Sequence, residues 1–187
     1  MNIYDALSKD HRQFERLLDR LNEAAKAGDD SWKGVVDELR NGVIAHARAE
    51  EALFYNALRD ADESKDAVRK SYAEHAAVEG ELRTLGAAKL FDAGATALAE
   101  KVRKDLAQHI QEEESVTYEA ARKVFSEEEA TQIGAAFEQM KTETAKGGES
   151  IVASTIDLIA NLLPPRLTDM FRKYTQAARP EPEPKPA

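Results

Sequence analysis

Apolar residues recur through the first two thirds of this chain in alternating steps of three and four. That spacing lays a continuous stripe along one side of an α-helix. Four such stretches follow one another. The first runs from about Tyr4 to Lys26, with a seam through Ile3, Leu7, His11, Phe14, Leu18, Leu21 and Ala25. The second, about Ser31 to Leu58, carries Val36, Leu39, Val43, His46, Glu50, Leu53 and Ala57. The third, about Ser64 to Leu90, carries Val68, Tyr72, His75, Glu79 and Leu82. The fourth, about Ala95 to Phe125, carries Leu98, Val102, Leu106, His109, Glu113, Val116 and Ala120. Turn signals separate them at Gly28-Asp29, at Asp60-Ala61 and at Asp92-Ala93-Gly94. Connections this short force neighbours to be antiparallel. The pattern predicts an all-α fold: an up-down-up-down four-helix bundle over residues 1–125.

Beyond Phe125 the pattern changes. Ser126 with Glu129 reads as a capping box that opens a fifth helix, which runs to about Lys146 and stops at Gly147-Gly148. A more apolar segment, Ile151 to Leu163, is stopped by Pro164-Pro165, and a short helix from Arg166 to about Ala178 follows. Residues 126–178 are thus a C-terminal helical extension, whose apolar segment is expected to dock on the bundle, the commonest outcome, with a homodimer contact or contact with lipid as alternatives. The tail, 179–187, alternates Pro with Glu, Lys or Ala and is expected to be extended and mobile.

Composition narrows the function classes. At 187 residues the chain can bury one sizeable core, and 42% hydrophobic with 33% charged residues indicates a soluble globular protein. A net charge of -9 argues against a nucleic-acid partner. The absence of cysteine excludes disulfides, iron–sulfur clusters and thiolate zinc sites. No basic segment precedes an apolar run at the N-terminus, and no run approaches membrane-spanning length. A cytoplasmic location without a membrane span is the expectation.

The histidines interrupt the seams in a regular way. The midpoints of His11/His46, His46/His75 and His75/His109 all fall at the turn signals. Antiparallel helices that carry histidines at equal distances from their shared turn bring all four imidazoles into one layer. Packing does not require such a layer, whereas a metal site does. Three of the histidines also have a seam glutamate one turn on: His46/Glu50, His75/Glu79 and His109/Glu113. Glu50 and Glu113, on parallel helices, step toward the same end of the bundle and can bridge two metal ions. His11 and His46 are then assigned to one metal, and His75, Glu79 and His109 to the other. Seven ionisable groups buried without partners would cost several kcal/mol each, on the order of known burial penalties. Two divalent ions and a bridging hydroxide offset that cost. Imidazole and carboxylate ligands suit iron, with manganese or zinc as alternatives.

Other residues receive blander readings. Glu15 falls beside the first seam, either as a sixth ligand on the His11/His46 side or lining its entrance. Glu112 and Glu114 read as solvated charges. Trp32, Phe54 and Tyr55 read as packing, and Phe14 and Ile110 as apolar walls. A ferritin-like site needs Glu-x-x-His on two helices. Ser8, Val43, Tyr72 and Leu106 stand at those positions, and none is acidic.

Asp10-His11, His46-Ala-Arg-Ala-Glu50-Glu51 and His109-Ile-Gln-Glu-Glu113, with His75 in the third helix, resemble the hemerythrin-like HHE cation-binding family. The resemblance covers Met1 to about Phe125. It implies a non-haem di-iron centre, oxo- or hydroxo-bridged and spanned by two carboxylates. It also implies roles in binding oxygen, nitric oxide or peroxide, in sensing oxygen or iron, or in catalase-like chemistry. Oxygen carriers of the family have His-x-x-x-His in the third helix, where this chain has His75 and Glu79. They also have an aspartate five residues after the fourth-helix histidine, where Glu113 stands at four. An added anionic ligand stabilises oxidised metals. The expected function is therefore binding or sensing of a small ligand at an open iron position, rather than reversible oxygen carriage. Catalase-like peroxide scavenging is the alternative, and iron storage or ferroxidase activity ranks below both.

Overall fold

The computed structural model describes residues 1–27, 30–59, 65–147 and 153–177. The turns expected at 28–29 and 60–61, and the tail 179–187, lie outside these residues. The described residues contain helices and no strand. Helix α1 (Ile3–Ala27) is followed by α2 (Ser31–Glu50), which passes through a π-helical turn, π1 (Glu51–Tyr55), into the short α3 (Asn56–Leu58). Helix α4 (Lys65–Gly86) returns. The fourth rod comprises α5 (Ala93–Glu112), a second π turn, π2 (Glu113–Thr117), and α6 (Tyr118–Val124). Helices α7 (Glu127–Gly147), α8 (Ala153–Ala160) and α9 (Pro165–Ala177) complete the chain. Successive rods of the bundle touch, and the fourth closes on α1.

Side chains cap three of these helices, one of them at the box read from the sequence. The Asp5 amide donates to Asn2 Oδ1 at 2.9 Å, and the Ala95 amide donates to Asp92 Oδ1 at 2.9 Å. Ser126 and Glu129 form the reciprocal capping box, with each backbone amide donating to the other's side chain. Two boundaries differ from expectation. Helix α4 stops at Gly86 rather than Leu90, its last bonds tightening to the three-residue span of Ala88 N to Leu85 O. The seam of the fourth rod does not continue through Val116, which is 54% exposed. The wider π turn inserts a residue, so Thr117 and Tyr118 point inward instead.

Two apolar cores lie on either side of a polar layer. One contains Phe14, Leu18, Leu21, Trp32, Val36, Leu39, Val78, Leu82, Val102 and Leu106. The other contains Leu7, Leu53, Phe54, Tyr55, Leu58 and Tyr118, and it continues into the extension through Ile133, Phe137, Met140, Ile156, Ile159 and Phe171. The extension therefore docks on its own bundle. Helix α7 lies along α1 and α2, and α9 lies against α3 and π1. No helix among the described residues is long and apolar enough to cross a membrane.

Glycine at 134 permits the closest of these contacts. A Cβ there would lie 2.6 Å from the Met1 carbonyl oxygen and 2.8 Å from the Ile3 amide nitrogen. Gly134→Ala is expected to destabilise the protein by about 1–3 kcal/mol through overpacking against backbone. Gly80→Ala, with nothing within 4 Å of its Cβ, should instead stabilise α4 by about 0.5–1 kcal/mol. Urea unfolding of the two variants checks the opposite signs.

Candidate metal centre

Between the two cores, the rods bring their histidines to one level. His11, His46, His75 and His109 are all buried, as are Glu50 and Glu113. Each ring points Nε2 inward. His11 Nε2 lies 3.2 Å from Glu113 Oε2, and His75 Nε2 lies 3.3 Å from Glu50 Oε2. His46 Nε2 is 3.5 Å from Glu50 Oε2, and His109 Nε2 is 3.9 Å from Glu113 Oε2. The Nε2 atoms of His75 and His109 face each other at 3.1 Å. Two sets of three ligand atoms form, His11/His46/Glu113 and Glu50/His75/His109, and within each all atoms lie within 4.8 Å of one another.

Many of these inner atoms lack a hydrogen bond: Nε2 of His11 and His46, both oxygens of Glu50, and Oε2 of Glu113. Buried polar atoms are otherwise paired almost without exception. Orphaned imidazole nitrogens and carboxylate oxygens, aimed at common points, are the donor set that divalent cations take. The residues present fit a pair of such ions.

The outer nitrogens are all occupied, and by a regular scheme. His46 Nδ1 is 3.1 Å from Asp10 Oδ2, His75 Nδ1 is 3.0 Å from Glu51 Oε1, His109 Nδ1 is 3.0 Å from Glu74 Oε2, and His11 Nδ1 is 2.9 Å from Glu114 Oε1. Each carboxylate belongs to the rod preceding that of the histidine it meets, and the fourth rod serves the first. A carboxylate on Nδ1 fixes the ring's orientation and directs Nε2 toward a metal.

One expected ligand is elsewhere. Glu79 is held by Arg48 Nη2 at 2.9 Å and by Arg83 Nη2 at 2.8 Å, outside both sets. The inner stripe of α4 passes from His75 to Val78, Leu82 and Leu85, so its first step after the histidine is three residues and Glu79 falls at the edge. Glu15, whose side chain is 44% exposed, pairs with Arg12 at 3.2 Å and does not reach the centre. Glu114 corrects the solvated reading, and Tyr55 is more than packing. The Tyr55 hydroxyl donates to Glu113 Oε1 at 3.0 Å, and its ring stacks on His75. Sequence reasoning missed Asp10, Glu51, Glu74 and Glu114 in these roles. Each is the immediate neighbour of a layer residue, a signal present in the chain.

A family model, the hemerythrin HHE cation binding domain, matches residues 2–121. The chain belongs to the hemerythrin HHE cation-binding family. The match takes in the bundle and both sets of hemerythrin-type donors, and it leaves α7, α8 and α9 outside. Neither the curated proteins nor the solved structures gave a match.

Electrostatics inside this hemerythrin bundle are governed by proton sharing when no cation is bound. Burial would lower the pKa of His11, but Glu113 and Glu114 raise it to about 9. Burial likewise opposes His75, and Glu50 with Glu51 raises it to about 10. Burial and the adjacent Glu50 push Glu113 up to about 7. His109 goes the other way, lowered mainly by burial. The three raised groups prefer their protonated forms in the folded state. Their contribution to stability is present below the unfolded values and is lost as pH rises through the folded ones. The metal-free protein is therefore expected to melt lower at about pH 9.5 than at about pH 6. Thermal unfolding in the presence of a chelator at the two pH values tests this; a flat or rising melting temperature counts against it.

Proposed function

We propose that this chain holds two iron ions in the histidine layer and binds a small diatomic or peroxide ligand at an open coordination position there. The observation that carries the reading is the pair of three-donor sets, built from four imidazoles and two carboxylates, in which Nε2 of His11 and His46, both oxygens of Glu50 and Oε2 of Glu113 lack a hydrogen bond. When bound, the iron pair supplies a Lewis-acidic, redox-active centre. His11, His46 and Glu113 hold one ion, and Glu50, His75 and His109 hold the other. With Glu79 engaged by arginines, the two halves carry equal donor sets, and the His75/His109 half lacks the third terminal ligand that the sequence suggested for it.

The surroundings select the ligand. A cavity of about 10 Å³ touches all four histidines and is walled by Phe14, Val43, Val78 and Leu106. It has room for roughly one water-sized molecule, which favours ligands among the smallest, the class to which oxygen, nitric oxide and peroxide belong. The apolar wall keeps bulk water from competing. A cytoplasmic setting is part of the proposal. A homodimer through the C-terminal helices is not required to cover them, since Ile156, Ile159, Leu167 and Phe171 are buried within the chain.

A second reading, peroxide disproportionation at the same centre, is favoured by Tyr55. That reaction needs a proton donor and acceptor beside the reacting oxygens. The Tyr55 hydroxyl donates to Glu113 Oε1 from the core on the other side of the layer from the cavity, so in this reading it would hold and return a proton through that carboxylate.

Two irons per chain are expected on metal analysis of protein produced with iron. His109→Ala should lose most of the metal, whereas Glu79→Gln should retain it; equal loss in both would return Glu79 to the ligand set. If the centre disproportionates peroxide, Tyr55→Phe should keep its iron and slow oxygen evolution about 10²-fold. An unchanged rate would remove the hydroxyl from the mechanism.

A further inference from the structure

Each of the four carboxylates on an Nδ1 atom has a cationic partner of its own. Arg12 donates to Glu114 at 2.8 Å, Lys70 lies 3.3 Å from Glu74, and Arg48 lies 3.6 Å from Glu51. These three cations come from the bundle, and their side chains are 47%, 49% and 41% exposed. Solvent screens pairs of that kind strongly. The fourth is different. Lys141 Nζ donates to Asp10 Oδ1 at 2.7 Å and to Oδ2 at 2.8 Å, and it is only 19% exposed. It projects from α7, outside the family match.

The same turn of α7 touches His46 directly. Phe137 meets the imidazole edge-to-face, with ring centroids 5.6 Å apart, and Lys141 Nζ sits 5.0 Å from the Phe137 ring centroid. Phe14 packs on His46 in the same manner, at 5.3 Å. His46 is thus clamped by two aromatic rings and a hydrogen-bonded aspartate, and the extension provides one ring and the cation behind the aspartate. Glu138 draws on the same ammonium from 3.2 Å but is itself 31% exposed. The buried partner, Asp10, accepts with both oxygens.

We propose that Lys141 is a positioning residue for the metal centre: through Asp10 it sets the orientation and basicity of His46, so that the C-terminal extension tunes one half of the iron pair. The inference rests on the two-iron reading above. A carboxylate held by a largely desolvated cation delivers less negative charge to its imidazole than one paired only at the surface. The His46 half is then electronically distinct from the His75/His109 half, although their donor sets are alike.

The test uses the full-length, metal-free chain and ferrous iron added without oxygen. Wild type is expected to take up two equivalents. Lys141→Met frees Asp10 to turn, and the lost orientation of His46 should outweigh its gain in basicity and weaken one equivalent by about 10–100-fold, leaving the other within about twofold; Lys141→Arg should restore most of the loss. Redox titration of the loaded proteins supplies a second readout. Removing the cation lowers the midpoint potential, whereas Asp10→Asn, which removes the anion, raises it. Loosened packing would move both variants the same way, and that result overturns the proposal, as does a Lys141→Met protein indistinguishable from wild type. If Lys141→Met does not fold, Asp10→Asn decides: selective loss of one equivalent with a raised potential supports the proposal, and unaltered binding overturns it. Wild-type protein that binds no iron defeats the two-iron reading itself, and the inference with it, before any variant is compared.

Discussion

The structure depends on a closed circuit of imidazole–carboxylate contacts. Asp10 of the first rod holds His46 of the second, Glu51 of the second holds His75 of the third, Glu74 of the third holds His109 of the fourth, and Glu114 of the fourth holds His11 of the first. Every ring is anchored from outside and points Nε2 inward. Such a layer is costly to bury, since each group leaves water and must find a partner in a medium of low polarity. The circuit meets that demand on the outer side and leaves most of it unmet on the inner side, where a cation fits.

The rest of the bundle supports this arrangement. Apolar cores above and below exclude water and fix the separation of the rods. The π turns begin directly after Glu50 and at Glu113, the two inner carboxylates. A π turn costs hydrogen-bond geometry, and in folded proteins it marks places where a side chain must be re-aimed. Here each one lets a rod present its glutamate to the layer and then a tyrosine, Tyr55 or Tyr118, to the next level of packing. The extension adds a second covering. Its helices close the lower core and bring Phe137 and Lys141 up to His46 and Asp10.

Much of this was legible in the chain before any coordinates. The three-and-four seams gave the rods and their order, and the placement of His11, His46, His75 and His109 about the turns gave a common level. The capping box at Ser126 gave the start of α7. Glu79 shows where spacing alone falls short. Positions three and four residues after a histidine both lie near its face of the helix, and only the continuation through Val78, Leu82 and Leu85 decides between them. Arg48 and Arg83 then complete the displacement. Val116 shows a different limit. A seam extrapolated at a constant period cannot register an inserted residue, because a π turn is stabilised by tertiary demand rather than by local propensity. The outer carboxylates sit next to layer residues in the chain, but their partners could not be read from it for a third reason. Each contacts a histidine on another rod, and cross-rod partners have no fixed spacing along the chain.

The circuit also has a topological consequence. Its last link runs from the end of the fourth rod back to the beginning of the first, a separation of 103 residues between Glu114 and His11. A nascent or truncated chain lacking that final rod keeps only two anchored rings, His46 and His75, and loses the donor pair His109 and Glu113, one from each half. Neither half can then mature ahead of the other. A cation would therefore meet the complete donor set only once the fourth rod has closed on the first, so cargo loading would depend on the whole chain rather than on any partial fold.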